Sequence, residues 1–326
     1  MSSAEVARSR FGHRLVQAAA AASAVVALVA LSAANAGAFS RATAARQAVQ
    51  CPSDVCKPVG TGWNDPSDAL PDHLGNLYVA DLAGGNGTLW RLDRAGKKTT
   101  VATGIGSTGS LLAWGDPDTI YGTNYGTVPG STHEAEKYGD LWKANVRTGK
   151  LTHIPVQGIT HPSGIVLDTP TTAYVTADGA TPQENALYRV DLTTGDATQL
   201  QSGFASVAGL TLDRTRGWIL VTVPGAGETG PRGGVAAYDK STGQLKGAWP
   251  VAGANNIEVD GKGTAYVTGG TLGQVYSLNL DSGAVQPQVT GLKSAWSVHM
   301  DVNTTYVTDI DGNHVYKITS LQPNGN

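Results

Sequence analysis

Residues 263–301 run through four short apolar stretches separated by turn residues. Residues 264–268 precede a Gly-rich turn, and 274–280 precede Asp281-Ser282-Gly283. Two further runs, 284–289 and 296–300, end at Asp301. Such a unit predicts four antiparallel strands in about 40 residues. The unit recurs. LYVAD (77–81), TIYGTN (119–124), TAYVTAD (172–178), GWILVT (217–222), TAYVTG (264–269) and TTYVTD (304–309) mark its second strand. TLWRLD (88–93), DLWKAN (140–145), ALYRVD (186–191), GVAAYD (234–239), QVYSLN (274–279) and HVYKIT (314–319) mark its third. Five of these six lead to a turn that ends in glycine: Gly96, Gly149, Gly195, Gly243 and Gly283. Six copies, about 40 to 53 residues apart and of four strands each, predict an all-β, six-bladed β-propeller over residues 63–320.

Burial explains the wording of the repeats. A lone four-stranded sheet leaves two wet faces, whereas radial stacking buries both, so the strands read YVT and LYRVD rather than as one-sided alternations. The aromatic residues at 90, 142, 188, 238, 276 and 316 are then expected between blades. The sixth copy runs out after its third strand, and residues 321–326 form a polar tail. Closing the ring therefore requires an outer strand from the lead-in at 39–62, between Gln47 and Val59. Cys51 and Cys56 are the only cysteines and lie in that segment. A small disulfide loop at the seam is expected of a chain in an oxidising compartment.

The first 38 residues read as an export signal rather than as part of the fold. Arg8, Arg10 and Arg14 form a basic region, 18–34 is an Ala/Val/Leu run, and Ala34-Asn35-Ala36 and Ala36-Gly37-Ala38 suit signal peptidase. The expectation is a secreted, monomeric protein with no membrane segment after cleavage. Without the signal the chain carries 20 basic and 25 acidic residues, a net charge of about −5, which offers no electrostatic footprint for nucleic acid.

HPSGIVLD (161–168) followed by TAYVTAD, and TTYVTDIDGNHVYKI (304–318), resemble the repeats of the regucalcin, gluconolactonase, strictosidine-synthase-like and NHL propeller superfamily. The resemblance covers residues 62–319. It implies a small-molecule ligand or substrate at the mouth of the central channel, handled by a hydrolase, lactonase or lyase. The alternative within the superfamily is a non-catalytic NHL-like binding propeller, extracellular or wall-associated. The lactonase members hold one divalent cation, calcium or magnesium, on residues that begin the innermost strands. The matching positions are Ser67, Ser110, Ser163, Ala208, Asn255 and Trp296, of which Asn255 is a ligand type, with Asp68 and Asn256 one register step away. A hard cation wants several oxygens, and this set is short of carboxylates.

Residues that begin innermost strands or follow second strands can converge over the channel. They include His161, Asn255, Asn256 and Trp296 on the one side, and Asn124 and Asp309 on the other. Asp, Asn and Gly after a strand are also ordinary turn residues. Two inserts, 125–138 with His133, Glu134 and Glu136, and 224–233 with Glu228 and Arg232, are candidate walls for a site. The sharpest irregularity is Glu258 and His299, which occupy one repeat position in adjacent units where sister units hold Leu70, Val166 and Thr211. Two readings stand. The pair is a catalytic acid and base with the imidazole tuned by the carboxylate, or a hydrogen-bonded pair that joins two blades.

Overall fold

The computed structural model describes residues 48–82, 86–106, 111–126, 139–179, 184–225, 233–302, 304–319 and 321. The chain divides into two units, Met1–Gln47 and Ala48–Asn326. The expected export signal lies outside the described residues, as do the centres of both inserts.

The second unit is an all-β, six-bladed propeller. Blade 1 comprises Pro66–Pro71, Leu77–Asp81, Thr88–Leu92 and Lys98–Thr103; blade 2 comprises Leu112–Asp116, Thr119–Asn124, Asp140–Asn145 and Leu151–Ile154. Blade 3 is Pro162–Thr169, Thr172–Ala177, Ala186–Asp191 and Ala197–Ser202; blade 4 is Leu210–Asp213, Trp218–Val223, Gly234–Asp239 and Leu245–Trp249. Blade 5 is Ile257–Val259, Thr264–Thr268, Val275–Asn279 and Val285–Thr290. Blade 6 supplies only three strands of its own, Ala295–Asp301, Thr304–Asp309 and His314–Ile318.

Its fourth strand is Cys56–Pro58, antiparallel to His314–Ile318 with Cys56 opposite Ile318 and Pro58 opposite Tyr316. The lead-in thus closes the ring as its position in the sequence predicts. It also does something the repeats do not announce. Val49–Gln50 adds a parallel fifth strand to blade 5, with Val49 opposite Val289. The Cys51–Cys56 disulfide, with Cα atoms 5.4 Å apart, spans the reversal between these two strands. Turn chemistry is equally regular. Gly195 has φ +80°, and a Cβ there would meet the Pro155 carbonyl at 2.3 Å, so the turn after the third strand of blade 3 admits only glycine.

The core is six apolar clusters, one between each pair of neighbouring blades. The third-strand aromatics lie in them: Trp142 between blades 1 and 2, Tyr188 between 2 and 3, Tyr238 between 3 and 4, Tyr276 between 4 and 5, Tyr316 between 5 and 6, and Trp90 between 6 and 1. These large side chains fill the wedge that opens between radially arranged sheets.

Candidate functional site

Six residues stand at one level around the axis: Leu70, Ala113, Val166, Thr211, Glu258 and His299. Each pairs across its blade with the matching second-strand residue: Tyr78, Tyr121, Tyr174, Leu220, Tyr266 and Tyr306. They line an axial cavity of about 290 Å³. Blades 1 to 3 give it an apolar wall through Leu70, Ala113 and Val166. Its polar wall comes from Thr211, Asn256, Glu258 and His299.

His299 and Glu258 meet, with the His299 Nδ1 to Glu258 Oε2 distance 2.9 Å. A third residue completes the group. The other ring nitrogen, Nε2, lies 3.0 Å from Asp68 Oδ1 and 3.2 Å from Oδ2. The Asp68 carboxyl is wholly buried, and it also accepts the backbone N–H of Leu112 on blade 2 at 2.7 Å and that of Ala69 at 2.8 Å. Glu258 Oε2 accepts the Met300 N–H at 3.0 Å. One group thus joins blades 5, 6, 1 and 2. Burial alone would drive the imidazole pKa down; Asp68 and Glu258 outweigh it and push the value up to about 10. At neutral pH His299 is an imidazolium with both N–H groups donated to carboxylates. It has no lone pair with which to take a proton, so it is unsuited to act as a general base in this arrangement.

The other expected site residues are placed as follows. Asn256, 4% exposed, accepts the Val298 N–H through Oδ1 at 3.3 Å. Asn255 donates Nδ2 to the Trp296 carbonyl at 2.8 Å. Both amides tie blade 5 to blade 6. Trp296 is half-buried and is not among the residues that line the cavity. Asn124 donates to Asp140 at 3.0 Å and accepts from Gly126 N–H at 3.2 Å. Asp309 accepts the backbone N–H groups of Lys293, Ser294 and Gly312 at 2.8–3.2 Å, the turn chemistry of its repeat position. His161 has φ +54°, and its ring lies 4.9 Å from that of Tyr125, tilted by 42°. Asp65, at the same repeat position in blade 1, is likewise left-handed, with φ +74°.

A hard cation does not suit these residues as they stand. Both Asp68 oxygens already accept N–H groups, and Asn255 presents its amide N–H to a carbonyl. Among the described residues there is no group of three His, Cys, Asp or Glu side chains arranged to hold a metal.

Two residues nearer the start of the innermost strands lies a device that sequence reading passes over. In five blades the second strand carries a threonine whose hydroxyl donates to a carbonyl that begins the innermost strand of the next blade. Thr123 reaches Ser163 at 3.3 Å, Thr222 reaches Asn255 at 2.7 Å, Thr268 reaches Trp296 at 3.0 Å and Thr308 reaches Ser67 at 3.3 Å; Thr176 bonds to Ala208. Blade 1 has Ala80 there. At its junction with blade 2 the Asp68 contact to Leu112 takes the place of the clasp. The signal was in the repeats, as the T of YGTN, YVT and LVT against the A of LYVAD.

No protein-family model matches the chain, and no curated protein matches it in sequence. Solved structures do match. One is a chain from the crystal structure of a nidogen/laminin complex, with a TM-score of 0.54 and 14% identity over 70% of this chain and 78% of that one. The likeness is one of fold. It supports a place among the β-propellers and leaves the particular family open.

Proposed function

We propose that this chain is an exported binding propeller that holds a small organic molecule in its axial cavity without transforming it covalently. The observation that carries the reading is the closed Asp68–His299–Glu258 group. Its imidazolium is neutralised on both sides, so the one histidine that lines the cavity among the described residues is committed to joining blades. What remains toward the cavity is one carboxylate oxygen, Glu258 Oε1, without a partner among the described residues, opposite an apolar wall. An acceptor facing apolar surface is the usual composition of a binding pocket. A disulfide between two strands of the closure suits an exported protein.

A fragment screen by ligand-observed NMR tests this. Fragments should bind the wild-type protein and be lost on Val166→Trp, which fills the cavity; fragments that bind both proteins equally would place binding elsewhere. The hydrolase and lactonase reading is tested alongside. Turnover of gluconolactone or p-nitrophenyl acetate that disappears in Glu258→Gln would replace the binding reading with Glu258 as a catalytic base.

A further inference from the structure

The two ends of the cavity differ. Toward the start of the innermost strands it stops at a buried layer. Asp68, Leu111, Asn256 and Ser297 are at most 6% exposed, and Gly164 and Gly209 are buried with them. This is the layer stitched by the threonine clasps. Toward the finish of the same strands the lining continues through Trp114, Leu167 and Val259 to Arg214, whose side chain is 63% exposed. Among the described residues, solvent therefore meets the cavity at Arg214. This is the end opposite to the loops where the expected site residues His161, Asn124 and Asp309 lie.

Arg214 is held but not spent. Nη2 donates to the Leu167 carbonyl at 2.7 Å and Nη1 to the Asp168 carbonyl at 3.4 Å. That leaves three of the five N–H donors of a guanidinium. Its nearest carboxylate, Asp168 at 3.7 Å, is already paired with Lys240 Nζ at 2.7 Å, so Arg214 retains positive charge for a ligand. The Leu167 carbonyl it reaches is one residue past Val166, which stands at the level of Glu258. Both groups line the cavity, with the guanidinium on the side toward the finish of the innermost strands. The Asp68–His299–Glu258 group carries two negative charges and one positive. The cavity therefore has a negative inner wall, a positive rim and apolar surface between them. At about 290 Å³ it lies just below the usual range of ligand pockets, about 300–1,000 Å³, which suits a short ligand.

We propose that the cavity fills from the Arg214 end and that its ligand is a short amino acid-type zwitterion, with the ammonium group on Glu258 Oε1 and the carboxylate on Arg214. The inference rests on the binding reading above and adds the direction of access and the ligand class. A guanidinium is suited to a carboxylate because it can meet both oxygens at once. The unpartnered Glu258 oxygen is suited to an N–H donor of positive charge.

Isothermal titration with three matched probes tests it: 5-aminopentanoate, pentylamine, which lacks the carboxylate, and pentanoate, which lacks the ammonium. The zwitterion should bind at least tenfold more tightly than either half. Arg214→Gln should reduce its affinity to that of pentylamine, and Glu258→Gln to that of pentanoate. Arg214 is a rim residue, so its variant keeps the fold, and an unchanged melting temperature verifies this. Pentylamine binding as tightly as the zwitterion, or an Arg214→Gln protein that binds it unchanged, would overturn the zwitterion while leaving the cavity reading intact. If none of the three binds, the zwitterion also falls, and the Val166→Trp fragment comparison decides the cavity reading separately.

Discussion

The interface between blades 2 and 3 and the one between blades 6 and 1 solve the same problem with different chemistry. Among the described residues, the first buries 13 apolar side chains, including Tyr121, Leu141, Ile165 and Tyr188. The second buries six: Trp63, Ala69, Leu77, Val79, Leu92 and Val315. Blade 6 meets blade 1 across the seam where the two ends of the chain are brought together, and it does so with less than half the apolar complement. Polar groups make up the difference. Asp68 faces His299 across this junction, Thr308 clasps the Ser67 carbonyl, and Lys98 Nζ lies 3.8 Å from the Trp63 ring and 4.3 Å from the Trp90 ring. Apolar burial is tolerant of small displacements, whereas a fixed hydrogen-bond group sets one register. A seam between segments far apart in the sequence gains from the second property.

The largest effect should come from removing the closure itself. A chain that begins at Gly62 lacks Val49–Gln50, Cys56–Pro58, the disulfide and the Val59 packing. It leaves the outer edge of blade 6 unpaired. Its melting temperature should fall sharply, with self-association through the open edge, as read by calorimetry and light scattering. A truncated chain with an unchanged melt would show that the ring is held by its blade interfaces alone.

Next in size is Asp68→Ala. It leaves the His299 Nε2–H and the Leu112 and Ala69 N–H groups without this acceptor in a buried place, and breaking such a group from one side costs about 3–5 kcal/mol. By contrast, Ile165→Val at the apolar interface between blades 2 and 3 should cost about 1 kcal/mol. Denaturant unfolding of the two variants measures the contrast. Equal losses would mean that the polar group adds nothing particular at the seam.

How much of this could be read from the sequence follows from how far apart the partners are. The blades were legible because each repeat is local, with strand, turn glycine and aromatic in fixed order. The closing strand was legible because blade 6 is one strand short. Glu258 and His299 stood out because the axial position is apolar or neutral in the other blades. Asp68 was legible only as an oxygen ligand. It lies 231 residues from His299, and although it occupies the repeat position of Gly164, Gly209, Asn256 and Ser297, the repeats do not announce that this position faces an imidazole from the other end of the chain. The end from which the cavity is reached was not legible either. It depends on which layer of the axis is sealed, and that is set by threonine-to-carbonyl bonds between blades rather than by any loop composition.

The imidazolium at the seam gives a pH signature. The His299 pKa is raised from 6.5 to about 10 on folding, so its contribution to stability is fully present below pH 6.5. It declines as pH rises and is gone above about pH 10. The wild-type melting temperature should therefore fall between pH 7 and pH 10 more steeply than that of His299→Gln, which lacks the titrating group. Parallel slopes for the two proteins would mean that the imidazole is not charged between its two carboxylates.

The smallest effect isolates a single clasp. Thr222 is fully buried, and its hydroxyl lies 2.7 Å from the Asn255 carbonyl and 3.0 Å from the Gly209 carbonyl. One hydroxyl proton serves one strong bond, and the shorter contact joins blade 4 to blade 5. Thr222→Val keeps the shape and removes that donor. The Asn255 carbonyl still receives the Gly209 N–H at 2.7 Å, so no acceptor is stranded and the loss should be near the net value of one hydrogen bond, about 1 kcal/mol. Asp68→Ala, which takes the acceptor from three donors, should cost several times more. That ratio is the informative quantity. If Thr222→Val is neutral while Asp68→Ala is severe, the clasps only record how closely the blades approach. If both losses have the expected size, the five threonines and the one aspartate are alternative fastenings for the same joint, and the ring is held at its axis as well as between its blade faces.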